Sequence, residues 1–193
     1  MKYRIVSSII LILLINACTT RQVKRLDEST QMDLSGRWND TDSRLVAEEM
    51  INDGLSRRWL TDFFEANSKK PTVIVGMIKN KTHEIISTGT FIKDIERAYV
   101  NSGKVRLVQA GEAREELRDE RADQQEFAST QSIKKWGLEK GADLMLQGVI
   151  DSIVDQLDNR KVVIYQIDME LTDIQTNEKV WIGSKKIKKY IKN

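Results

Sequence analysis

The chain predicts an α/β fold: one domain with a mixed β-sheet, packed helices and a C-terminal antiparallel β meander. Three observations carry this. Apolar residues recur at three- and four-residue steps from Val46 to Phe64, the period of a helix. The run Val73-Ile74-Val75-Gly76-Met77-Ile78 is apolar on both alternating faces, as in a strand covered on two sides. From Val163 to Thr172 apolar and polar residues alternate, as in a strand with one buried and one wetter face.

The first twenty residues read differently from the rest. Lys2 and Arg4 give a basic start, Ile5 to Ile15 form a nearly unbroken apolar run, and Ala17 precedes Cys18. This is the grammar of an export signal removed after use, and the run is too short for a membrane-crossing helix, which needs about 20 apolar residues. Ile15-Asn16-Ala17-Cys18 looks like a bacterial lipobox. On that reading residues 1–17 are a lipoprotein signal peptide cut after Ala17, and Cys18 is acylated, with chains such as palmitate. Thr19, where an aspartate favours inner-membrane retention, points to the outer membrane, periplasmic face. A plain secretory signal with a free cysteine is the alternative.

Residues 18–34 are mostly polar without an apolar period and read as a lipidated flexible tether; 35–193 are the α/β domain. Asn39-Asp40-Thr41-Asp42-Ser43 supplies helix caps, and Val46, Met50, Ile51, Leu55, Trp59, Leu60, Phe63 and Phe64 then form one stripe on a single long helix. After the buried strand, Thr88 caps a second helix carrying Phe91, Ile92, Ile95, Ala98 and Tyr99, which Gly103 ends. Val105 to Val108 is a short strand, Glu112 to Gln125 a charged surface helix, and Thr130 to Lys140 another short helix. Strands over Leu144–Val154, through Val163–Leu171, and from about Lys179 to Lys189 complete the sheet. Asp158-Asn159 and Thr176-Asn177 provide the turns.

Composition narrows the function. Removing the signal takes two of the 31 basic residues and none of the 29 acidic ones, so the mature chain is neutral and suggests no nucleic-acid partner. With one cysteine it has no internal disulfide. His83 is the single histidine, in a polar loop, so a Cys-His pair and a histidine-rich metal site are both ruled out. Gly-rich phosphate loops and nucleophile elbows do not occur. Glu48-Glu49, Glu115-Glu116 and Asp119-Glu120 read as solvated helix faces rather than a glycosidase pair. The chain is read as a non-enzyme with no catalytic residue, no metal and no cofactor. Trp181 is either core or a partner anchor. Lys185 to Lys192 either guard a sheet edge or form a basic patch facing an anionic surface such as the cell wall or lipid head groups.

Several segments together resemble a known family. They are Ser35-Gly36-Arg37-Trp38-Asn39-Asp40, Asn80-Lys81-Thr82 after a buried strand, Ser102-Gly103-Lys104-Val105-Arg106-Leu107-Val108, Gly137-Leu138-Glu139-Lys140-Gly141-Ala142-Asp143, and Thr176-Asn177-Glu178-Lys179-Val180-Trp181. With the Cys18 lipobox, their order resembles the penicillin-binding protein activator LpoB family. The resemblance implies a non-catalytic outer-membrane lipoprotein that binds a bifunctional class A penicillin-binding protein and stimulates peptidoglycan synthesis, with a bearing on cell shape. The family motifs mark turns and strand starts; for the binding edge Asn80, Lys81, Thr82 and Trp181 are the candidates, with turn formation the alternative role of Asn80. Enteric members carry a long proline- and glutamine-rich linker, whereas here Cys18 and Asp40 are only about 22 residues apart, roughly 75 Å when fully extended. The strand-helix order also resembles curli-secretion-type lipoproteins and the amino-terminal domain of TolB, which makes an outer-membrane adaptor in envelope assembly or secretion the alternative.

Overall fold

The computed structural model describes residues 23–27, 30–129, 131–132 and 139–192. The chain divides into Met1–Gln31 and Met32–Asn193, and every helix and strand below lies in the second unit. Ala17, Cys18 and most of the expected helix at Thr130–Lys140 fall outside the described residues.

Helix α1, Asp40–Leu55, starts where the capping residues place it. Asn39 Oδ1 accepts the Asp42 N–H at 3.0 Å and Asp42 Oδ2 accepts the Asn39 N–H at 3.0 Å, a reciprocal capping box. The single long helix expected from Val46 to Phe64 is two helices. Helix α1 stops at Leu55, and α2, Trp59–Asn67, starts anew. Gly54 has low helix propensity, and its freed carbonyl accepts the Trp59 indole N–H at 2.7 Å, while Ser56 Oγ donates to the Asp53 carbonyl at 2.7 Å. Trp59 still reaches the core and Leu60 packs against it, but the stripe ends there, and Phe64 is exposed.

Strand β1, Thr72–Asn80, leads to helix α3, Thr88–Ser102, strand β2, Arg106–Val108, and helix α4, Gly111–Phe127. Ser87, not Thr88, holds the cap position of α3. Gly103 ends that helix at φ 62°, a left-handed conformation glycine adopts without strain. Helix α4 buries none of its residues, as its charged sequence predicts. Strands β3, Leu144–Leu157, β4, Arg160–Asp173, and β5, Lys179–Lys192, form the expected meander and extend past its expected ends.

The five strands lie in the order β2-β1-β3-β4-β5, parallel across β2, β1 and β3 and antiparallel from β3 to β5. Helices α1 and α3 pack on each other and on one face of the sheet. Val163, Tyr165, Ile167, Met169 and Leu171 all point into this core, as alternation predicts. Thr72 to Val75 are buried on both faces. A bulge between Val75 and Ile78 then shifts the register against β3, so that both of these residues face the core and Met77 is left 64% exposed. Beyond it the other face is open, with Ile153, Ile182 and Tyr190 exposed.

Candidate partner-binding surface

The loop after β1 is built by its own side chains. Asn80 Nδ2 donates to the Glu84 carbonyl at 2.8 Å, and Asn80 Oδ1 accepts the Thr82 N–H at 2.9 Å. The Thr82 hydroxyl accepts the Glu84 N–H at 3.1 Å, and the Lys81 N–H donates to the Ile150 carbonyl at 2.8 Å. These bonds replace the ladder that ends with the strand and fix the loop's shape.

Glu84 then pins the loop to the domain. Its carboxylate accepts the Tyr165 hydroxyl at 2.7 Å and the Trp38 N–H at 3.2 Å. Burial, together with donation to this carboxylate, pushes the Tyr165 hydroxyl above its ordinary pKa. Trp38 stacks edge-on against Phe91 at 5.8 Å and Tyr165 at 5.7 Å between ring centres. Ile86 packs inward, and Lys81, His83 and Ile85 are left outside. Ile85 is fully exposed and stands at the rim of a groove of about 210 Å³, between Trp38, Asp40 and Ser43 on one side and Ile86 and Thr90 on the other.

The four sequence candidates therefore have different positions. Asn80 and Thr82 shape the loop, and Lys81 is displayed by it. Trp181 is elsewhere: Asn80 aligns through β3 and β4 with Lys185, four residues further along β5. Trp181 is 6% exposed, sits over Gly54, and donates its indole N–H to Asp53 Oδ2 at 3.0 Å. Its packing also needs Gly183, where any Cβ would collide with the indole. Of the two sequence readings of Trp181, the core position is the one occupied. Bonds from Arg57 and then from Trp181 hold the Asp53 carboxyl below the usual range.

Sequence reasoning missed Ile85 and Glu84. Their signal was a pair of adjacent isoleucines in a polar loop directly before a helix, of which only one can be buried. It also missed a clasp at the start of the domain. Lys189 Nζ donates to Asp33 Oδ1 and Asp42 Oδ2, both at 2.5 Å, and to the Arg37 carbonyl at 3.0 Å. Gly36, at φ 66°, passes under Ile191, where a Cβ would collide.

Among the described residues no group of three or more histidine, cysteine or acidic side chains is placed to hold a metal ion, and no helix is long and apolar enough to cross a membrane. The family model described as peptidoglycan-synthase activator LpoB matches residues 42–187. No curated protein matches the sequence. Among solved structures, the LpoB C-terminal domain from Escherichia coli is 16% identical with a TM-score of 0.46, covering 76% of this chain and 98% of that one. The corresponding domain from Salmonella enterica has the same identity and coverages and a TM-score of 0.41. Lipoprotein GNA1162 from Neisseria meningitidis is 14% identical with a TM-score of 0.40, covering 62% of this chain and 83% of that one.

Proposed function

The chain is a member of the peptidoglycan-synthase activator LpoB family, and from that membership we propose that it binds a class A penicillin-binding protein at the periplasmic face of the outer membrane and raises its rate without catalysing a step itself. The single observation that carries this is the family match over residues 42–187, which takes in every helix and strand except the first two residues of α1 and the end of β5. Cys18 is the lipid anchor in this proposal, exposed by signal cleavage after Ala17.

The loop Lys81–Ser87 is the contact surface that the geometry favours. Its backbone is fixed in advance by Asn80, Thr82 and Glu84, so little ordering entropy is lost on binding. Ile85 offers an apolar anchor with a groove beside it, and Lys81 adds an exposed charge on the same loop. Activation requires that this surface bind the synthase's active conformation more tightly than its resting one, because equal affinity for both shifts nothing.

The test is to add the mature chain to the host's own class A penicillin-binding protein and follow glycan polymerisation and crosslinking. A several-fold rise is expected. No rise, together with no binding, sinks the proposal. Binding to other envelope proteins with an unchanged rate would establish the adaptor reading, which the short stretch between Cys18 and the domain favours.

A further inference from the structure

Strand β5 carries six lysines, and the structure sorts them by role. Lys179 pairs with Glu170 at 2.5 Å, Lys185 with Glu49 at 2.6 Å, and Lys189 with Asp33 and Asp42. Lys186, Lys188 and Lys192 have no ion-pair partner among the described residues, and neither does Arg160. Strand alternation puts these four on the sheet face opposite the helices, the face on which Ile182 and Tyr190 are exposed.

The strand register brings them into one corner. Lys192 lies opposite Arg160, Tyr190 opposite Val162, and Lys188 opposite Ile164, which in turn lies opposite Ile153 on β3. Tyr190, Ile153 and Leu157 there are all more than 60% exposed. Asp151 and Asp155 share the face on β3, Asp155 between Ile153 and Leu157, and Asp168 stands on β4 diagonal to Lys186, so the basic charge is concentrated along β5 and at Arg160. The β5 edge is therefore cationic with Tyr190 among its charges, and Ile153 and Leu157 lie on the same face further in. Soluble edges use lysine to repel other strands, but that purpose does not call for exposed Tyr190, Ile153 and Leu157 beside it. A flat basic surface with interspersed apolar groups is the chemistry of the membrane interface.

The position of the corner fixes which anionic surface it meets. A groove of about 380 Å³ runs between Asp33–Gly36 and Lys188–Lys192, so the chain enters the domain at the corner itself. Cys18 is about 14 residues before Met32, a span of at most roughly 50 Å. If Cys18 is acylated, this corner is held within that distance of the bilayer.

We propose that Arg160, Lys186, Lys188 and Lys192, with Tyr190 among them, dock the domain on anionic phospholipid head groups of the membrane that holds Cys18. This rests on the acylation reading above only for which membrane is met. An acyl anchor holds the chain end but not the domain's orientation, and a basic patch adds an electrostatic contact that lays the domain on the surface. A domain so docked stays at the outer membrane, and the synthase has to extend to it.

The experiment uses the full mature chain with Cys18→Ser, so that no acyl chain contributes. Sedimentation with vesicles of phosphatidylethanolamine, with and without phosphatidylglycerol, is measured at low and at about 0.3 M salt. Binding is expected only with phosphatidylglycerol, and it should be lost at the higher salt. Lys186→Gln with Lys188→Gln should weaken it by roughly tenfold or more, with the melting temperature unchanged. Lys104→Gln with Lys140→Gln, on exposed positions elsewhere, should leave binding intact. Equal binding to both vesicle types, no binding, or indifference to the β5 pair would overturn the proposal. So would loss of synthase binding in that pair with vesicle binding retained, which would give the corner to a protein partner. The mass of the N-terminal peptide tests Cys18 acylation separately, and either result can fail without the other.

Discussion

Lys189 Nζ lies 2.5 Å from Asp42 Oδ2 across 147 residues of sequence, and both side chains are only 9% exposed. The same Asp42 oxygen accepts the Asn39 N–H that closes the capping box of α1. One carboxylate thus starts a helix and seats the last strand. Burial opposes the charge of Lys189, but its bonds to Asp33 and Asp42 outweigh that and raise its pKa. Lys189→Met leaves Asp42 buried without its partner and should cost on the order of 3 kcal/mol, read as a fall in urea midpoint at constant slope. Adding Asp42→Asn should recover part of the loss. A change under about 0.5 kcal/mol would show the contact to be incidental.

Trp181→Ala should destabilise the domain by about 3–5 kcal/mol, since it empties a core site and leaves Asp53 without its indole donor. Trp181→Phe should cost less, because it keeps most of the volume. An unchanged melting temperature with lost synthase binding would contradict the core placement.

Four carboxyls are held below the usual range, Glu139 among them through its bonds from Arg118 and Arg121. Bonding to Lys189 lowers Asp33 and bonding to Arg57 lowers Asp53. Asp143 is opposed by burial, but the bonds from Lys69 and the Thr72 N–H prevail. A carboxyl with a depressed folded pKa contributes stability fully present above its unfolded value of about 3.9, and lost as pH falls through the folded value. Lys189, with a raised pKa, contributes below about 10.4 and loses that contribution as pH rises through its folded value. The melting temperature should therefore be flat from about pH 5 to 9 and fall below about pH 4. Asp143→Asn should lower the plateau and shrink the acid step; an unaltered step would show that Asp143 does not drive it.

Ile85→Asp should leave the melting temperature within about 1 °C, because the side chain is fully exposed. It should weaken synthase binding and activation by tenfold or more if Ile85 is the anchor. Asn80→Ala should weaken binding as well, but through loss of loop order, detectable as faster amide exchange at Thr82 and Glu84. Full activation by the Ile85 variant would move the contact surface off this loop.

Much of the fold was legible because local chemistry and global packing agree. Asn39 and Asp42 announce a helix start, Gly103 a stop, and the β4 alternation matches its burial residue by residue. The error at Gly54 has a definite cause: periodicity continued into Trp59 to Phe64 and outweighed the local signal of Gly54, whose place under Trp181 is a distant contact that no local pattern records. The clasp was illegible for the same reason, since Asp33 and Lys189 stand at opposite ends of the domain. Within the site, Asn80, Lys81 and Thr82 were legible as a candidate loop and Asn80 as a turn former, while the exposure of Ile85 depends on Glu84 finding Tyr165 and Trp38 in space.

The clasp also sets where force enters the domain. A pull on the segment before Met32 is met first by Asp33 held on Lys189, then by Gly36 lodged under Ile191, then by Trp38 wedged against Phe91 and Tyr165. One hydrogen bond further, from Trp38 to Glu84, stands the loop proposed above as the contact surface. Leash and grip thus share one end of the domain. With the proposed anchor and contact loop both engaged, tension between them would run through this short chain of contacts, leaving α2 and the first residues of β5 unloaded.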